Sequence, residues 1–366
     1  MADPPAHDVF LVPGFFGFTY LGDVKYWTHV RSVLGPELEE RGAAARIHYV
    51  DTPPTASLNT RTAHLAQRIG ELAGPGADIH LIGHSSGGLD ARLLATSAEL
   101  ADPRLRTVVT VATPHHGTPL AGLFASVGGQ HVLRLLSLTT IAVLRTGRLP
   151  LALAAHLSKA LLAPADSVID QVAGQILGEF SRDRRDALAE FFDEVRKDTA
   201  LLAQITPEAM EVLHASLPAP PEGIHHGCVV TRARHPRLRT VAELGLDPYA
   251  QTMHTVFRWL HSQAALDEGQ GAAWVFPADA FPGEPPPGPD DSDAIVPTLS
   301  QVWGPLIHAC WADHLDVIGH YGGPNDDPPH YDWIPSGTGF DRQRFTAVWQ
   351  DVAEFIARSS AGTLTG

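Results

Sequence analysis

The first third of the chain alternates short apolar runs with longer segments whose apolar residues recur at helical spacing. The apolar runs resemble strands and cover residues 9–12, 45–50, 78–82 and 107–112. The helix-sized segments between them cover residues 27–41, 59–73 and 86–100. Such alternation is typical of parallel strands joined by crossover helices. The pattern therefore predicts an open, mostly parallel α/β sheet with helices on both faces.

The strand pattern stops near residue 119, and only helical spacing is visible up to residue 221. In the stretch SRDRRDALAEFFDEVRKDTALLAQI, the apolar positions at helical spacing are Leu188, Phe191, Phe192, Val195, Leu201 and Leu202. Strand character returns at residues 227–233 and 306–311, and one helical face is visible over residues 344–358.

This organisation predicts one sheet interrupted by a helical insertion. We assign residues 1–118 to the N-terminal part of the core, residues 119–221 to a helical lid or cap, and residues 222–366 to the C-terminal part of the core. The insertion leaves the sheet after one strand and returns before the next, so we expect it to lie over the carboxyl ends of the strands.

A serine stands between small residues where the third strand-like run meets the following helix. Residues 83–87 read Gly-His-Ser-Ser-Gly, which fits the G-x-S-x-G pattern of a nucleophile elbow. Such a turn forces the serine into a strained backbone conformation, and the flanking glycines remove side chains that would collide. The pattern predicts that Ser85 displays its hydroxyl above the sheet. The helix that starts at Ser86 would direct its free amides towards an oxyanion.

A nucleophilic serine needs a base and an acid that orients the base, in the chain order Ser, Asp or Glu, His. The stretch DDSDAIVP offers three carboxylates, Asp290, Asp291 and Asp293. Asp293 directly precedes an apolar pair that would anchor its loop. The stretch CWADHLDVIGH offers two histidines, His314 and His320. His314 follows the last strand-like run, so we predict a Ser85–Asp293–His314 triad, with His320 as the alternative base.

The loop after the first strand is expected to supply a second oxyanion donor. Pro13, Gly14 and Phe15 follow the run VFLV. Gly14 would let the backbone approach the serine, and the amide of Phe15 would donate beside that of Ser86. A tight turn that merely caps a buried strand is the alternative explanation. We predict that the substrate contacts Phe16, Phe18 and His84.

These residues resemble those of the α/β-hydrolase superfamily, and within it the bacterial triacylglycerol lipases. The resemblance is carried by VFLVPGFFGF, IHLIGHSSGGLDAR, VVTVATPHHGTPLA, SDAIVPTLSQ and DHLDVIGH. It implies an α/β-hydrolase fold, hydrolysis of carboxylic esters and the acid and base named above. The chain departs from the family pattern at Pro13, where histidine is usual, and at Ser292 and Ala294, where asparagine and glycine are common.

The resemblance also bears on cofactors. Catalysis by such a triad requires none. Several of these lipases bind a structural calcium through an aspartate two residues after the histidine, and Asp316 matches that position. A carboxylate at the start of a helix is the simpler explanation of this residue.

The amino-acid composition limits the kinds of molecule that the protein is expected to bind. The chain has 366 residues, with 26 Lys and Arg against 41 Asp and Glu, for a net charge of −15. This balance argues against nucleic acid and against anionic membrane surfaces. Charged residues interrupt the most apolar stretch, so no integral membrane segment is expected. No signal peptide is visible at the start of the sequence. That favours a cytoplasmic protein, or a secreted one whose leader has been removed.

Two cysteines, Cys228 and Cys310, are too few for a disulfide framework. Buried free thiols are the simpler expectation, and one disulfide between them is the alternative. The oligomeric state cannot be read from the sequence.

The expected function is a lipase or esterase acting on lipids or other apolar esters, because the insertion is rich in Leu and Ala. A hydrolase of polyesters, such as polyhydroxyalkanoates or synthetic polyesters, would use the same fold. A catalytically silent hydrolase fold that only binds ligands is the third hypothesis. The complete order of serine, acid and histidine argues against it.

Overall fold

The structure is a computed structural model that describes residues 7–15, 20–21, 24–162, 166–178, 180–236, 245–267, 269–271, 273–323 and 331–361. Its strands are β1 (His7–Val12), β2 (Tyr20–Leu21), β3 (Val24–Lys25), β4 (Ala45–Tyr49), β5 (Asp78–His84), β6 (Leu105–Val111), β7 (His225–Arg232) and β8 (Leu306–Trp311). The helices outside the middle of the chain are α1 (Val30–Glu40), α2 (Leu58–Leu72), α3 (Ser86–Thr96), α11 (Pro248–Gln263) and α12 (Arg342–Ser360). Those in the middle are α4 (Pro119–Ala125), α5 (Val127–Thr146), α6 (Leu151–Leu162), α7 (Asp166–Gly178), α8 (Arg182–Lys197), α9 (Ala200–Gln204) and α10 (Pro207–Ser216).

The main sheet has six strands in the order β4-β1-β5-β6-β7-β8, and every neighbouring pair is parallel. The strands β2 and β3 form a separate antiparallel pair. Because parallel strands all end at the same edge, the loops after β1, β5 and β8 meet there. The predicted α/β fold with a mostly parallel sheet is confirmed.

Alternating side chains of β1 enter two different cores. Val9 and Leu11 pack in the core that also contains residues of α1 and α12, whereas Phe10 and Val12 pack with residues of α2 and α3. Successive side chains of a strand point to opposite faces of a sheet, so both faces are covered by helices. This explains why the predicted strands are continuously apolar.

The described residues between β6 and β7 form seven helices joined by short turns and contain no strand. Helix α5 packs against α4 and α7, and α6 packs against α7 and α11. Within the described residues, no single helix is long and apolar enough to cross a membrane. Together, the helices Pro119–Ala125 and Gly128–Thr146 reach the length and apolar composition of a membrane span, but the angle between them is 110°. The proposed division into a core and a lid stays a prediction.

Helix α11 was not predicted from the sequence, in which we identified only the strand-like runs on either side of it, at residues 227–233 and 306–311. The side chain of Asp247 caps this helix by accepting a hydrogen bond from Tyr249 N at 2.9 Å, and Pro248 occupies its first turn. Its buried residues Met253, Phe257 and Leu260 follow helical spacing. The signal was therefore present, as a capped amphipathic segment.

Both cysteines are buried free thiols, as the simpler expectation had it. Cys228 lies on β7 and Cys310 on β8. Burial raises the pKa of Cys228 to about 11. A thiol with so high a pKa is a poor nucleophile at neutral pH.

Candidate active site

Ser85 lies in a sharp turn between β5 and α3. Its backbone angles are φ 54° and ψ −131°, which a residue with a side chain adopts only under strain. A Cβ atom on Gly83 would lie 2.3 Å from the carbonyl oxygen of Gly87, and one on Gly87 would lie 2.5 Å from that of Pro13. Only glycine fits at either position, and the side chain of Ser85 lines a cavity.

The loop after β1 runs directly beside the serine. A Cβ atom on Gly14 would lie 2.7 Å from the Cβ of Ser85. Phe15 and Ser86 line the same cavity as Ser85. The two predicted oxyanion donors are thus on opposite sides of the serine in sequence and adjacent to it in space. Phe16 and Phe18 lie outside the described residues.

A buried arginine orients this loop. Arg61 of α2 pairs with Asp90 at 2.7 Å, and both side chains are fully buried. Its Nη2 also donates to the carbonyl oxygens of Pro13 at 3.2 Å and Gly14 at 3.4 Å. A carbonyl and the following amide lie on opposite sides of one planar trans peptide. Holding the Gly14 carbonyl towards Arg61 therefore turns the Phe15 N–H the other way.

The predicted acid and base are in direct contact. His314 Nδ1 lies 2.8 Å from Asp293 Oδ2, and the His314 backbone N–H donates to the Asp293 carbonyl oxygen at 3.0 Å. The other carboxylate oxygen accepts from Ile295 N at 3.0 Å and Val296 N at 2.7 Å. The apolar pair after Asp293 thus orients the carboxylate through its amides. His314 lines the same cavity as Ser85.

The other carboxylates and the other histidine face different partners. Asp290 is exposed, and Asp291 pairs with Arg232 at 2.7 Å and His235 at 2.8 Å. His320 is buried, and its Nε2 lies 2.9 Å from the carbonyl oxygen of Tyr26.

His84 has a different location from the one predicted for a substrate contact. The side chain is fully buried and is not among the residues that line the cavity. It lies between Tyr26 and the backbone of His314 instead, so its ring has no surface to offer a substrate.

The acid loop contains a second strained residue. Ala294 has φ 80°, in the left-handed region that glycine adopts freely. The resemblance noted above has glycine at this position. The loop therefore keeps that turn with alanine and carries some strain.

A buried arginine and a group of histidines lie at the base of the helical segment. Arg92 of α3 donates to His115 Nδ1 at 3.3 Å and also contacts His214 of α10. The guanidinium lies 5.1 Å from the centre of the Trp303 ring. Burial lowers the pKa of Arg92 to about 10. Burial, with a further contribution from this cation, lowers the pKa of His116 and His214 to about 4.

Three aspartates near His314 form a compact cluster that could hold a cation. Asp313 and Asp316 are buried, Asp332 is half-buried, and one oxygen of each lies within 4.8 Å of the others. Burial raises the pKa of Asp313 to about 6. Burial and the neighbouring carboxylates raise the pKa of Asp316 well above its usual range. Asp313 Oδ2 is buried without a hydrogen-bond partner. These oxygens fit a hard divalent cation.

Sequence reasoning found Asp316 but missed Asp313 and Asp332. Asp313 directly precedes His314, which was a usable signal. Asp332 lies sixteen residues after Asp316, and no local pattern marks it. Tyr26, Arg61 and Arg92 were missed for the same reason.

The cavity in front of Ser85 has a volume of about 890 Å³, which includes space open to solvent. Its apolar walls include Leu120, Phe124, Leu133, Leu136, Leu202, Ile205, Leu260, Ile295, Val296 and Trp333. Two of the hydroxyls that line it are already used, because Ser137 donates to Leu133 O at 2.8 Å and Thr118 to Ile295 O at 2.6 Å. The cavity therefore suits an apolar group that reaches Ser85.

Comparison with protein families finds one match. Residues 64–126 match the model of the PGAP1-like alpha/beta domain. This stretch contains the turn at Ser85 and the strand β6. No curated protein matches the sequence.

Solved structures of lipases and esterases match almost the whole chain. A carboxyl esterase of metagenomic origin is 15% identical, with TM-score 0.52, covering 98% of this chain and 76% of its own. Lipase 1 from Pelosinus fermentans is 17% identical, with TM-score 0.53, covering 99% and 100%. EstA from Clostridium botulinum is 16% identical, with TM-score 0.52, covering 96% and 87%. The chain therefore has the α/β-hydrolase fold, in a form similar to that of lipases and esterases.

Proposed function

We propose that the protein is a carboxylic-ester hydrolase for substrates with an apolar acyl group. The observation that carries this proposal is the convergence of a strained serine and a histidine–aspartate pair on one apolar cavity. Ser85 and His314 both line that cavity, and Asp293 lies 2.8 Å behind the histidine. The names of the structural neighbours, which are lipases and esterases, agree with it.

The proposed reaction proceeds through an acyl-enzyme. His314 Nε2 takes the proton of the Ser85 hydroxyl as the oxygen attacks the ester carbonyl. Asp293 accepts the hydrogen bond from Nδ1–H, which holds the ring in the correct tautomer and stabilises the imidazolium. The imidazolium then gives its proton to the leaving alkoxide. Water attacks the acyl-enzyme in the same way and releases the carboxylic acid.

The oxyanion would be held by two backbone amides, those of Phe15 and Ser86. The amide of Ser86 belongs to the first turn of α3, where the helix dipole also favours negative charge. Loss of one such donor costs about 3 kcal/mol of transition-state stabilisation. The contacts that orient the Pro13–Phe15 loop therefore matter to the rate.

The acyl group would lie against the leucine-rich wall that α5 and α9 contribute. Each methylene group buried against a mainly apolar wall contributes about 0.8 kcal/mol to binding, so longer esters should bind more tightly until the cavity is full. Lipids are the proposed substrates on this ground, and polyesters present comparable ester groups in longer chains.

The test compares wild type, Ser85→Ala and Ser86→Ala on p-nitrophenyl esters from two to sixteen carbons. We expect Ser85→Ala to be inactive and Ser86→Ala to keep most of the activity, because only the amide of Ser86 is used. The two variants lose the same atom at adjacent positions, which makes the second a matched control. Hydrolysis by Ser85→Ala at the wild-type rate would exclude Ser85 as the nucleophile, whereas a wild type that hydrolyses none of the esters would favour a silent binding protein. Parallel incubation with a polyester film tests the polymer alternative.

We further propose that Asp313, Asp316 and Asp332 hold a structural calcium ion. Two observations support this proposal: Asp313 Oδ2 is buried without a hydrogen-bond partner, and burial raises the pKa of Asp313 to about 6. A bound calcium would supply positive charge and fix the loop that carries His314. These aspartates would join that loop to the segment before α12.

Calcium binding is tested by calorimetry and thermal unfolding of chelator-treated protein. We expect calcium to raise the melting temperature of wild type by several degrees and to leave Asp316→Asn unchanged. A melting temperature that calcium does not move in wild type would contradict the proposal.

A further inference from the structure

His84 links two loops that the sheet keeps apart. Its ring is fully buried, with Nδ1 at 2.7 Å from the hydroxyl oxygen of Tyr26 and Nε2 at 2.8 Å from the carbonyl oxygen of His314. The rings of His84 and His314 are 4.7 Å apart. The Tyr26 oxygen in turn accepts the backbone N–H of Gly14 at 2.7 Å.

The direction of each hydrogen bond in this series can be assigned. A carbonyl oxygen only accepts, so Nε2 of His84 carries the proton and donates to His314 O. Burial lowers the pKa of His84 well below its usual range, which keeps the ring neutral. Nδ1 is then an acceptor, and the Tyr26 hydroxyl donates to it. The same hydroxyl oxygen accepts from Gly14 N–H. Every donor in the series thus faces an acceptor.

We propose that Tyr26 and His84 are positioning residues, which set the oxyanion loop and the His314 loop relative to each other. This inference rests on the proposed function, because the two loops matter together only if both act on one ester. Tyr26 lines the cavity and His84 does not, and neither side chain transfers a proton or forms a bond in the mechanism proposed above. Each acts through the backbone of another residue, Gly14 on one side and His314 on the other.

The strand order shows why such a link is needed. The oxyanion loop follows β1 and the His314 loop follows β8, and the strands β5, β6 and β7 lie between them. No strand pairing fixes the distance between the Phe15 amide and the His314 ring. The pair formed by Tyr26 and His84 fixes it through three buried hydrogen bonds. His84 directly precedes Ser85, so the same hydrogen bonds also fix the position of the proposed nucleophile relative to both loops.

The first test is Tyr26→Phe, with Tyr249→Phe as its matched control. The Tyr249 hydroxyl also accepts a backbone amide, that of Leu149 at 3.2 Å, but it lies outside the cavity lining. We expect Tyr26→Phe to lower kcat about tenfold to a hundredfold while KM stays within about twofold, because misplacement of groups slows the chemical step. Tyr249→Phe should keep the wild-type kcat even if it melts earlier.

A transition-state analogue gives an independent measure. A boronic acid that bonds to Ser85 needs both the oxyanion amides and His314 in place. Its inhibition constant should rise with Tyr26→Phe by about the factor by which kcat falls. An unchanged inhibition constant and a kcat above half of the wild-type value would overturn the proposal. Equal losses of kcat in Tyr26→Phe and Tyr249→Phe would overturn it as well.

Variants of His84 keep the proposal testable should Tyr26→Phe not fold. His84→Gln retains an N–H that can reach His314 O, whereas His84→Leu retains none. We expect Gln to preserve at least tenfold more kcat than Leu at similar melting temperatures. The double variant Tyr26→Phe, His84→Leu should be no worse than the poorer single variant, since both break one link. Equal activity of Gln and Leu, or fully additive losses, would contradict the link.

Measuring Ser85→Ala beside these variants separates the two proposals. If Ser85→Ala retains wild-type activity, the proposed function is wrong. If Ser85→Ala is inactive and the variants of Tyr26 and His84 behave as wild type, only the positioning role is wrong.

Discussion

The cavity has two walls that are built on different principles. The sheet edge contributes Ser85, His314 and the amides of Phe15 and Ser86, and hydrogen bonds to Asp293 and Tyr26 orient the His314 ring and the backbone of Gly14. The helical segment between β6 and β7 contributes mostly apolar side chains, and the Ser137 hydroxyl on that side is bonded to its own helix. The sheet-edge wall can act only if its hydrogen-bonding groups point in the right directions. The helical wall needs only the right shape and volume.

This difference indicates where strain is tolerated. Ser85 and Ala294 both have positive φ, and Ser85 lines the cavity at the sheet edge while Ala294 lies in the loop that carries Asp293. Directional chemistry needs atoms within a few tenths of an ångström, which only a surrounding network of bonds can enforce. The helical wall needs only apolar contact. Substitutions in the sheet-edge wall should therefore lower the rate of hydrolysis of all esters alike. Substitutions in the helical wall should change the rates of long and short esters by different factors.

The largest effect is expected from Asp293→Asn, because this substitution changes the hydrogen bond that orients His314 in the sheet-edge wall. The asparagine oxygen would keep the bonds from Ile295 N and Val296 N and turn its NH₂ towards His314. The histidine would then adopt the tautomer with a proton on Nε2, which cannot accept the proton of Ser85. We expect kcat to fall about ten thousandfold for short and long esters alike. Asp290→Asn, an exposed site in the same loop, should keep wild-type kinetics.

A smaller and selective effect is expected from Leu136→Trp in the helical wall. The larger side chain would fill part of the cavity, so kcat/KM should fall about tenfold to a hundredfold for esters of eight or more carbons. The acetyl ester should stay within about twofold of wild type. Leu151→Trp, at a leucine of α6 that is 47% exposed, serves as control and should leave the chain-length profile unchanged. Equal loss for acetyl and long esters would refute the division between the walls.

A third effect, on the pH dependence of stability, concerns the contact between the helical segment and the core, where His214 of α10 meets Arg92 of α3. Burial lowers the pKa of His214 to about 4. As the pH falls below 6.5, the unfolded chain binds a proton there that the folded chain excludes, so stability is lost down to about pH 4.

The variant His214→Gln isolates this contribution, because buried aspartates with raised pKa act in the opposite direction in the whole protein. We measure the free energy of unfolding at pH 7 and pH 4.5 by urea titration. The decrease between the two pH values should be about 1 kcal/mol smaller for His214→Gln than for wild type. Leu213→Gln, the neighbouring position on α10, should shift stability equally at both pH values. A wild-type slope in His214→Gln would show that the histidine is not buried as described.

The smallest effect is expected at Ala294, which is buried and has φ 80°. Glycine would relieve the left-handed strain but lose one buried methyl, and the two contributions are each about 1 kcal/mol. Ala294→Gly should therefore change the unfolding free energy by less than about 0.5 kcal/mol. Ala353→Gly, equally buried but in α12, should lose about 1–2 kcal/mol because no strain is relieved there. A similar loss at both positions would show that Ala294 is unstrained.

Much of the fold followed from local patterns. Strand-sized apolar runs and helical spacing predicted the parallel sheet, because each run can bury itself only between two layers of helices. The spacing of Gly83, Ser85 and Gly87 predicted the turn that displays the serine, since a tight turn has few sterically allowed solutions. Chain order and the apolar pair after Asp293 selected the acid and the base that the structure brings into contact. All of these signals span a few residues.

Contacts between distant segments were decided only by the tertiary structure. Nothing near Asp332 indicates that its carboxylate meets those of Asp313 and Asp316. Elbow spacing does not say whether His84 faces a substrate or, as observed, the backbone of His314. Such contacts depend on how the strands are ordered and where each loop ends, and one residue carries no periodic signal of its distant partner. The sequence determined most of the elements and the side chains that we propose to react, whereas packing determined which buried polar groups hold them in place.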